Sequence, residues 1–217
     1  MAGILEGIGP RLGRRLLIAM FLGSMVAASA ARAQVADGGA AEGRQSIIAL
    51  YAAIKNAMHT GGSFRQRFDL LAPVVDKVFD LNAILQTSVG LRWASLDEAS
   101  RQTLFTVFRA FTIASYTANF DKDGGERFEV LPQTRMSGSD VIVESNLIPL
   151  DSDPIRIDYV TRGGRVVDVL LDGSISRVAV QRSDFRSLLA SGTPGPLIDS
   201  LKRKVSDLSG GTMTAGP

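Results

Sequence analysis

The spacing of apolar residues changes twice along this chain, and that change constrains the fold more than any other feature. Up to Gly125 apolar side chains recur every three or four residues, from there to Gly173 they alternate, and from Ser174 the helical spacing returns. A period near 3.6 predicts helices, and a period of 2 predicts strands that bury one face. The sequence therefore predicts an α+β domain in which helices flank a curved antiparallel sheet.

The helices before the sheet begin at Arg44. Ile47, Tyr51, Ile54 and Met58 lie on one apolar stripe. The same criteria predict further helices over residues 63–79, 80–89, 95–120, 174–190 and 197–208.

Local signals refine two of these helices. Pro73 predicts a kink or a break, because proline removes a backbone donor and clashes with the preceding turn. Ser95 and Glu98 predict a capping box at the start of the helix over 95–120. That helix carries an unusually aromatic stripe, formed by Leu104, Phe105, Phe108, Phe111, Thr112, Ser115 and Tyr116.

Four strands are predicted over residues 127–131, 140–149, 154–161 and 165–172. Alternation in the third strand assigns Ile157 and Tyr159 to one face and Asp158 to the other. In the fourth, Val167 and Val169 share a face. Paired glycines at 163–164 indicate a hairpin between these two strands.

The N-terminus is typical of an exported precursor. Arg11, Arg14 and Arg15 precede an uncharged run over 16–30, and Ala31 and Ala33 frame a small-x-small cleavage pattern. We therefore expect a signal peptide over 1–33, exported by the Sec route, followed by a flexible leader over 34–43 and a periplasmic mature protein. The alternative is a membrane anchor, although the run is shorter than the ~20 apolar residues that a span needs.

Charge and composition exclude several function classes. Without its first 33 residues the chain carries 20 basic and 21 acidic side chains, so nothing indicates nucleic-acid binding. The absence of cysteine and the single histidine, His59, exclude thiolate sites and sites that need two imidazoles. We predict no cofactor and no metal site. The acidic turn over 121–126 lacks the ligands that a calcium loop requires at its fifth and twelfth positions.

The residues themselves leave three functions open. The aromatic stripe and the sheet either form a filled core or line a cavity for lipid, and residue types do not distinguish the two. An NTF2-like isomerase or dehydratase would need an Asp base with a Tyr donor, and Asp158, Tyr159 and Tyr116 are the candidates. The alternation separates Asp158 from Tyr159, which weakens that hypothesis. The third possibility is an envelope adaptor that binds no small molecule.

Two blocks of the sequence resemble the MlaC-type (toluene-tolerance) periplasmic lipid carriers. In the first, over 81–120, the matching places are Val89-Gly90, Trp93, Ser95-Leu96, Arg101, Phe108, Phe111 and Ser115-Tyr116. In the second they are residues 155–159, 167–169, 173–176, 182–185 and 188–189.

The resemblance implies a single NTF2-like domain over 44–208, with a flexible tail over 209–217 and no enzymatic activity. It also implies a carrier that moves phospholipid between an outer-membrane lipoprotein complex and an inner-membrane transporter of the MCE–ABC or RND type. The Ala-rich leader and the Pro-rich segment over 191–196 look closer to the hopanoid-associated HpnM branch, so the cargo is either a phospholipid or a hopanoid.

The resemblance and the alternation together predict which side chains hold the cargo. These ten are Val89, Trp93, Phe105, Phe108, Tyr116, Val143, Ile157, Tyr159, Val169 and Leu171. The segment over 191–196 is a candidate hinge for opening the pocket.

Overall fold

The helices and strands follow the predicted order, except that residues 175–176, predicted to begin a helix, form a short fifth strand. The computed structural model describes the backbone of residues 16–216 and the side chains of residues 38–216. The helices are α1 Leu16–Thr60, α2 Phe64–Val78, α3 Leu81–Val89, α4 Glu98–Asn119, α5 Arg177–Leu188 and α6 Gly195–Leu208, with a short 3₁₀ helix at Gly90–Ser95. The strands are β1 Arg127–Ser137, β2 Asp140–Ile148, β3 Ile155–Arg162, β4 Arg165–Leu171 and β5 Ile175–Ser176. They form one antiparallel sheet in the order β1-β2-β3-β4-β5, which confirms the α+β class.

Two of the local helix signals act differently from the prediction. Asp97, and not Ser95, caps α4, because its carboxylate accepts the backbone N–H of Ser100 at 2.7 Å. The hydroxyl of Ser95 instead donates to the Arg92 carbonyl at the end of the 3₁₀ helix. Pro73 lies within α2, which continues to Val78 without a break.

Two irregularities set the register of the sheet. Strand β1 runs past Pro132, where its pairing with β2 shifts between Val130 and Thr134, so the strand is longer than predicted. A bulge tolerates proline because the pairing is already interrupted there.

The second irregularity corrects the predicted face of Val167. Val160 pairs with Asp168, whereas the next residue, Thr161, pairs with Val166. Val167 is left without a direct partner, and Val166 takes the fully buried position in its place. A bulge of this kind inserts one residue and reverses the alternation beyond it.

The core lies between the helices and one face of the sheet. The predicted stripe of α1 buries Ile47 and Ile54 completely, and the Ser46 hydroxyl donates to the Gly164 carbonyl at 2.7 Å. Helix α4 packs against α2, α3 and α6, while α3 and α5 pack against each other and against β4. Since the helices cover one face, the alternation in each strand assigns every side chain to the core or to the outer face.

The outer face carries a cluster of charges centred on Asp158. Its carboxylate is inaccessible to solvent and accepts hydrogen bonds from Arg135 at 2.8 Å and from Arg156 at 3.0 Å. Both guanidinium groups also contact Glu144. Asp158 therefore points away from Tyr159, as the alternation predicts, and these two residues do not form an acid–base pair.

The segments predicted to be flexible at either end each include residues that contact the rest of the domain, and their flexibility stays a prediction. Contacts divide the chain into one unit up to Gly38 and a second over residues 39–217. The predicted leader over 34–43 is part of α1, and a Cβ atom added at Gly43 would lie only 2.6 Å from the Thr161 hydroxyl. In the predicted tail, the backbone N–H of Met213 donates to the Ser209 hydroxyl, and Ala215 is buried.

The predicted signal peptide lies largely outside what the structure describes. Residues 1–15 and the side chains up to residue 37 are not described, so cleavage after residue 33 stays a prediction. Within the described residues, no helix is long and apolar enough to cross a membrane.

Candidate lipid-binding cavity

A cavity of about 450 Å³ lies between α4, α5 and the inner face of β3 and β4. Its volume falls within the range of roughly 300–1,000 Å³ typical of ligand sites. The chain therefore does not fill the space between its helices and its sheet completely.

Helix α4 forms one wall because its apolar stripe faces the sheet. Phe108, Phe111 and Tyr116 contribute their rings to this wall. Thr112 and Ser115 lie between them, but their hydroxyls donate to the helix carbonyls of Phe108 and Phe111, at 3.0 and 2.8 Å. Because these two hydroxyl hydrogens are already bonded to carbonyls of the helix, the wall presents mainly apolar surface to a ligand.

The sheet forms the opposite wall through cross-strand pairs. Ile157 pairs with Leu171, and Tyr159 pairs with Val169. Of the two β3 residues that line the cavity, Ile157 is partly exposed and Tyr159 is only 2% exposed. The cavity therefore becomes more buried from Ile157 toward Tyr159.

The buried end of the cavity is aromatic and holds tyrosine hydroxyls. The rings of Tyr116 and Phe79 lie 5.5 Å apart, and those of Tyr51 and Tyr159 lie 5.9 Å apart edge to face. The Tyr51 hydroxyl is 2.7 Å from that of Ser145. Burial raises the pKa of all three tyrosines, since a phenolate would lose its hydration there.

Charged and polar side chains lie at the rim of the cavity. Arg177, Asp184 and Lys204 are exposed and line it, and the Lys204 ammonium lies 5.6 Å from the centre of the Phe111 ring. Arg177 is the first residue of α5, and Asp168 binds the N-terminus of this helix. The Asp168 carboxylate accepts hydrogen bonds from the Ser176 hydroxyl and from the Val178 backbone N–H. The arrangement suits an amphipathic molecule with its tails inside and its polar group at the rim.

The structure brings together part of the predicted pocket. The predicted residues that line the cavity are Phe108, Tyr116, Ile157, Tyr159, Val169 and Leu171.

The four other predicted residues lie elsewhere. Val89 and Val143 are buried in the core, and Val143 pairs with Tyr159 through the backbone of β2 without reaching the cavity. Trp93 lies in the 3₁₀ helix under the Arg101 guanidinium. Phe105 faces a separate cavity of about 320 Å³, beside Arg109. Each has the right residue type, but its position in the fold directs it away from the large cavity.

The sequence analysis missed the contribution of α3 and α5. Helix α5 adds Val178 and Phe185, and the region around α3 adds Phe79, Leu81 and Ile84. Spacing places Phe185 on an apolar stripe, but it does not show which other helix or strand that stripe faces. Phe120 could have been found, since it extends the α4 stripe by four residues beyond Tyr116.

Comparisons with known proteins agree with this architecture. The family model described as MlaC protein matches residues 44–203. No curated protein matches the sequence significantly.

Among solved structures, the chain is similar to a phospholipid-binding protein from Ralstonia solanacearum, determined in complex with a phospholipid. The two share 19% sequence identity with a TM-score of 0.65, over 79% of this chain and 98% of that one. At this identity the likeness supports the fold. Since the family model covers most of the domain that contains the cavity, this chain belongs to the MlaC family.

Proposed function

We propose that this protein is a periplasmic carrier that binds a phospholipid by its acyl chains and moves it between the inner and outer membranes. The observation that carries the proposal is the apolar cavity between α4 and the sheet. Membership of the MlaC family and the phospholipid held by the Ralstonia protein of the same fold support it.

The binding energy comes from removing hydrocarbon from water. Each buried CH₂ group contributes about 0.8 kcal/mol, so a chain that enters far enough to reach Tyr159 binds without covalent chemistry. The glycerophosphate group would stay at the rim, near Arg177 and Lys204. Such binding is reversible, as a carrier requires.

Delivery needs partners at both membranes. We propose an inner-membrane transporter of the MCE–ABC or RND type and an outer-membrane lipoprotein complex, following the family assignment. Export by the predicted signal peptide over 1–33 would bring the chain to the periplasm. Opening of the cavity at the segment over 191–196 would release the cargo.

Native cargo tests the proposal directly. The full chain is expressed in a Gram-negative host, the mature protein is purified from the periplasm, and organic extracts are analysed by mass spectrometry. We expect phospholipid close to one molecule per protein. A hopanoid in its place would reassign the cargo, and a lipid-free protein that also takes up no phospholipid from vesicles would refute the carrier function.

A charge inside the cavity tests its location. Val169→Asp places a carboxylate against the acyl chains, where an unpaired charge is strongly unfavourable, so lipid retention should be lost. As a control, the same substitution to asparagine is made at Val169, which lines the cavity, and at Leu170, which does not. Leu170 is the next residue of β4 and pairs with Asp158, so it lies on the outer face and its substitution should leave bound lipid in place. Lipid retained by Val169→Asp would show that this wall is assigned incorrectly.

A further inference from the structure

The chain contains three tyrosines, and all three meet at the buried end of the cavity. They come from α1, α4 and β3, and they are separated by more than 40 residues in sequence. Tyr116 and Tyr159 line the cavity, while Tyr51 lies behind Tyr159. A hydrocarbon chain gains nothing from phenol hydroxyls, so their presence in an otherwise apolar wall needs another reason.

The hydrogen bonds behind the wall have a fixed direction. The Ser145 hydroxyl donates to the Ile157 carbonyl, which can only accept. Its single hydrogen is thereby committed, so in the 2.7 Å contact between Tyr51 and Ser145 it is Tyr51 that donates. Neither of these hydroxyls has a hydrogen left for a ligand.

The hydroxyls of Tyr116 and Tyr159 are the ones available to the cavity. Both side chains line the cavity, and neither hydroxyl takes part in a hydrogen bond between residues that the structure describes. Each phenol hydroxyl has one hydrogen to donate and an oxygen that can accept. The wall can therefore both donate a hydrogen bond and accept one.

The cluster suits a neutral group and not an anion. Burial raises the pKa of Tyr116 and of Tyr159 far above neutral pH, so both remain uncharged phenols. Phenols cannot neutralise a buried phosphate or carboxylate, whose burial without a counter-charge is unfavourable. The cation whose charge acts on Tyr116 is Arg177, which is exposed at the rim and would hold an anionic group there, outside the buried end. A hydroxyl group, which both donates and accepts, can pair with either tyrosine.

We propose that Tyr116 and Tyr159 form a polar subsite that recognises a hydroxyl group carried on the hydrocarbon part of the cargo. The inference rests on the proposed function, because it names the lipid class that the same cavity prefers. Ile157, the first β3 residue that lines the cavity, and Tyr159 are two residues apart, about 7 Å along the strand. The hydroxyl therefore belongs below the head group, on the hydrocarbon part of the cargo, and an ordinary phospholipid would occupy the cavity without using this subsite.

Matched lipids test the subsite. Binding of phosphatidylglycerols with identical acyl-chain lengths is measured by competition against a fluorescent phospholipid, with the full mature protein. One lipid has plain chains, and the others carry a single hydroxyl that is moved stepwise from near the ester to the chain end. We expect one mid-chain position to bind roughly 2- to 10-fold tighter than the plain lipid, the net effect of one buried hydrogen bond.

Variants assign the preference to the tyrosines. In Tyr116→Phe and in Tyr159→Phe, the affinity for the hydroxylated lipid relative to the plain lipid should fall to about one. It should fall well below one if the hydroxyl of the lipid is buried without a hydrogen-bond partner. Thr117→Val is the control, since it removes a buried α4 hydroxyl that already donates to the Ile113 carbonyl and is not among the residues lining the cavity, and the preference should survive. Thermal unfolding of each variant establishes that it folds.

The outcomes separate the two proposals. Equal binding of plain and hydroxylated lipids at every position would overturn the subsite while leaving the carrier function intact. A preference that persists in both tyrosine variants would also overturn it. If the protein binds none of the lipids, the proposed function itself fails.

Discussion

The two faces of the sheet are built on opposite principles. The inner face of β3 and β4 is apolar and borders a cavity of about 450 Å³. The outer face of the same strands pairs its charges closely, with Asp158 held between Arg135 and Arg156. Asp158 and Tyr159 are adjacent in β3. Asp158 belongs to the paired charged cluster on the outer face, whereas Tyr159 belongs to the apolar wall of the cavity.

This difference shows how a sheet can keep an unfilled face. A cavity in a core destabilises the fold, because the lining atoms lose packing partners. Interactions on the outer face join β1, β2 and β3 across strands and do not depend on what the cavity contains. We therefore expect changes on the outer face to alter stability, and changes on the inner face to alter lipid binding.

The largest effect on stability should come from removing both guanidinium groups that face Asp158. Arg135→Met with Arg156→Met leaves a buried carboxylate without a counter-charge, so the free energy of unfolding should fall by about 3–5 kcal/mol. Urea denaturation at neutral pH measures it. Adding Asp158→Asn to the double variant should recover part of the loss. A loss below about 1 kcal/mol would mean that the cluster behaves as an ordinary exposed ion pair.

Alkaline pH should act on the inner face, through the tyrosines. Burial raises the folded-state pKa of Tyr51, Tyr116 and Tyr159 above the value in the unfolded chain. Their contribution to stability is complete below the unfolded pKa near 10 and is lost as the pH rises toward the folded pKa. Between the unfolded and the folded pKa, each tyrosine should then lower the free energy of unfolding by about 1.4 kcal/mol per pH unit.

Absorbance at 295 nm measures this ionisation. At pH 11, where free tyrosine is mostly ionised, the folded protein should show less phenolate than the unfolded chain, in which all three phenolates appear. Tyr51→Phe should make the alkaline loss of stability less steep. A phenolate signal that rises through pH 10 before unfolding would contradict the buried cluster.

Adjacent positions on α4 distinguish filled from unfilled space. Ala114 is fully buried in the core, whereas Ser115 lines the cavity. Ala114→Leu should lower the free energy of unfolding by about 1–3 kcal/mol through overpacking. Ser115→Leu should leave it unchanged or raise it by up to about 2 kcal/mol, because the side chain occupies empty space.

Lipid uptake from vesicles completes this test. Ser115→Leu should take up less phospholipid because it narrows the cavity. Equal destabilisation by the two substitutions would indicate that the space beside Ser115 is already filled.

The smallest effect is expected at the end of the outer face. Arg162 donates two hydrogen bonds to Asp140, but its side chain is mostly exposed. Water and salt screen such a pair, so Arg162→Met should lower the free energy of unfolding by less than about 1 kcal/mol. The buried Asp158 carboxylate should make the double variant of Arg135 and Arg156 much less stable than Arg162→Met. If Arg162→Met loses as much stability as that double variant, burial of the carboxylate does not determine the strength of these ion pairs.

Much of the inner face was predictable from spacing. The α4 stripe and the alternation of β3 placed Phe108, Tyr116, Ile157 and Tyr159 on the correct faces, because helix and strand geometry determine which side chains share a side. Val167 was assigned to the wrong face, since alternation cannot detect the irregularity at Val160 and Thr161. That irregularity depends on pairing with β3, a contact between strands.

The sequence by itself determined the class and order of most helices and strands, the turns between them, and the apolar faces that must be buried. These are local properties, set by backbone geometry and by side chains a few residues apart. Only the tertiary structure decided that these faces enclose a cavity, that α3 and α5 contribute to its walls, and that Tyr51, Tyr116 and Tyr159 meet at its buried end. The physical reason is that packing distances between distant segments, and not residue types, determine whether apolar surfaces touch or stand apart.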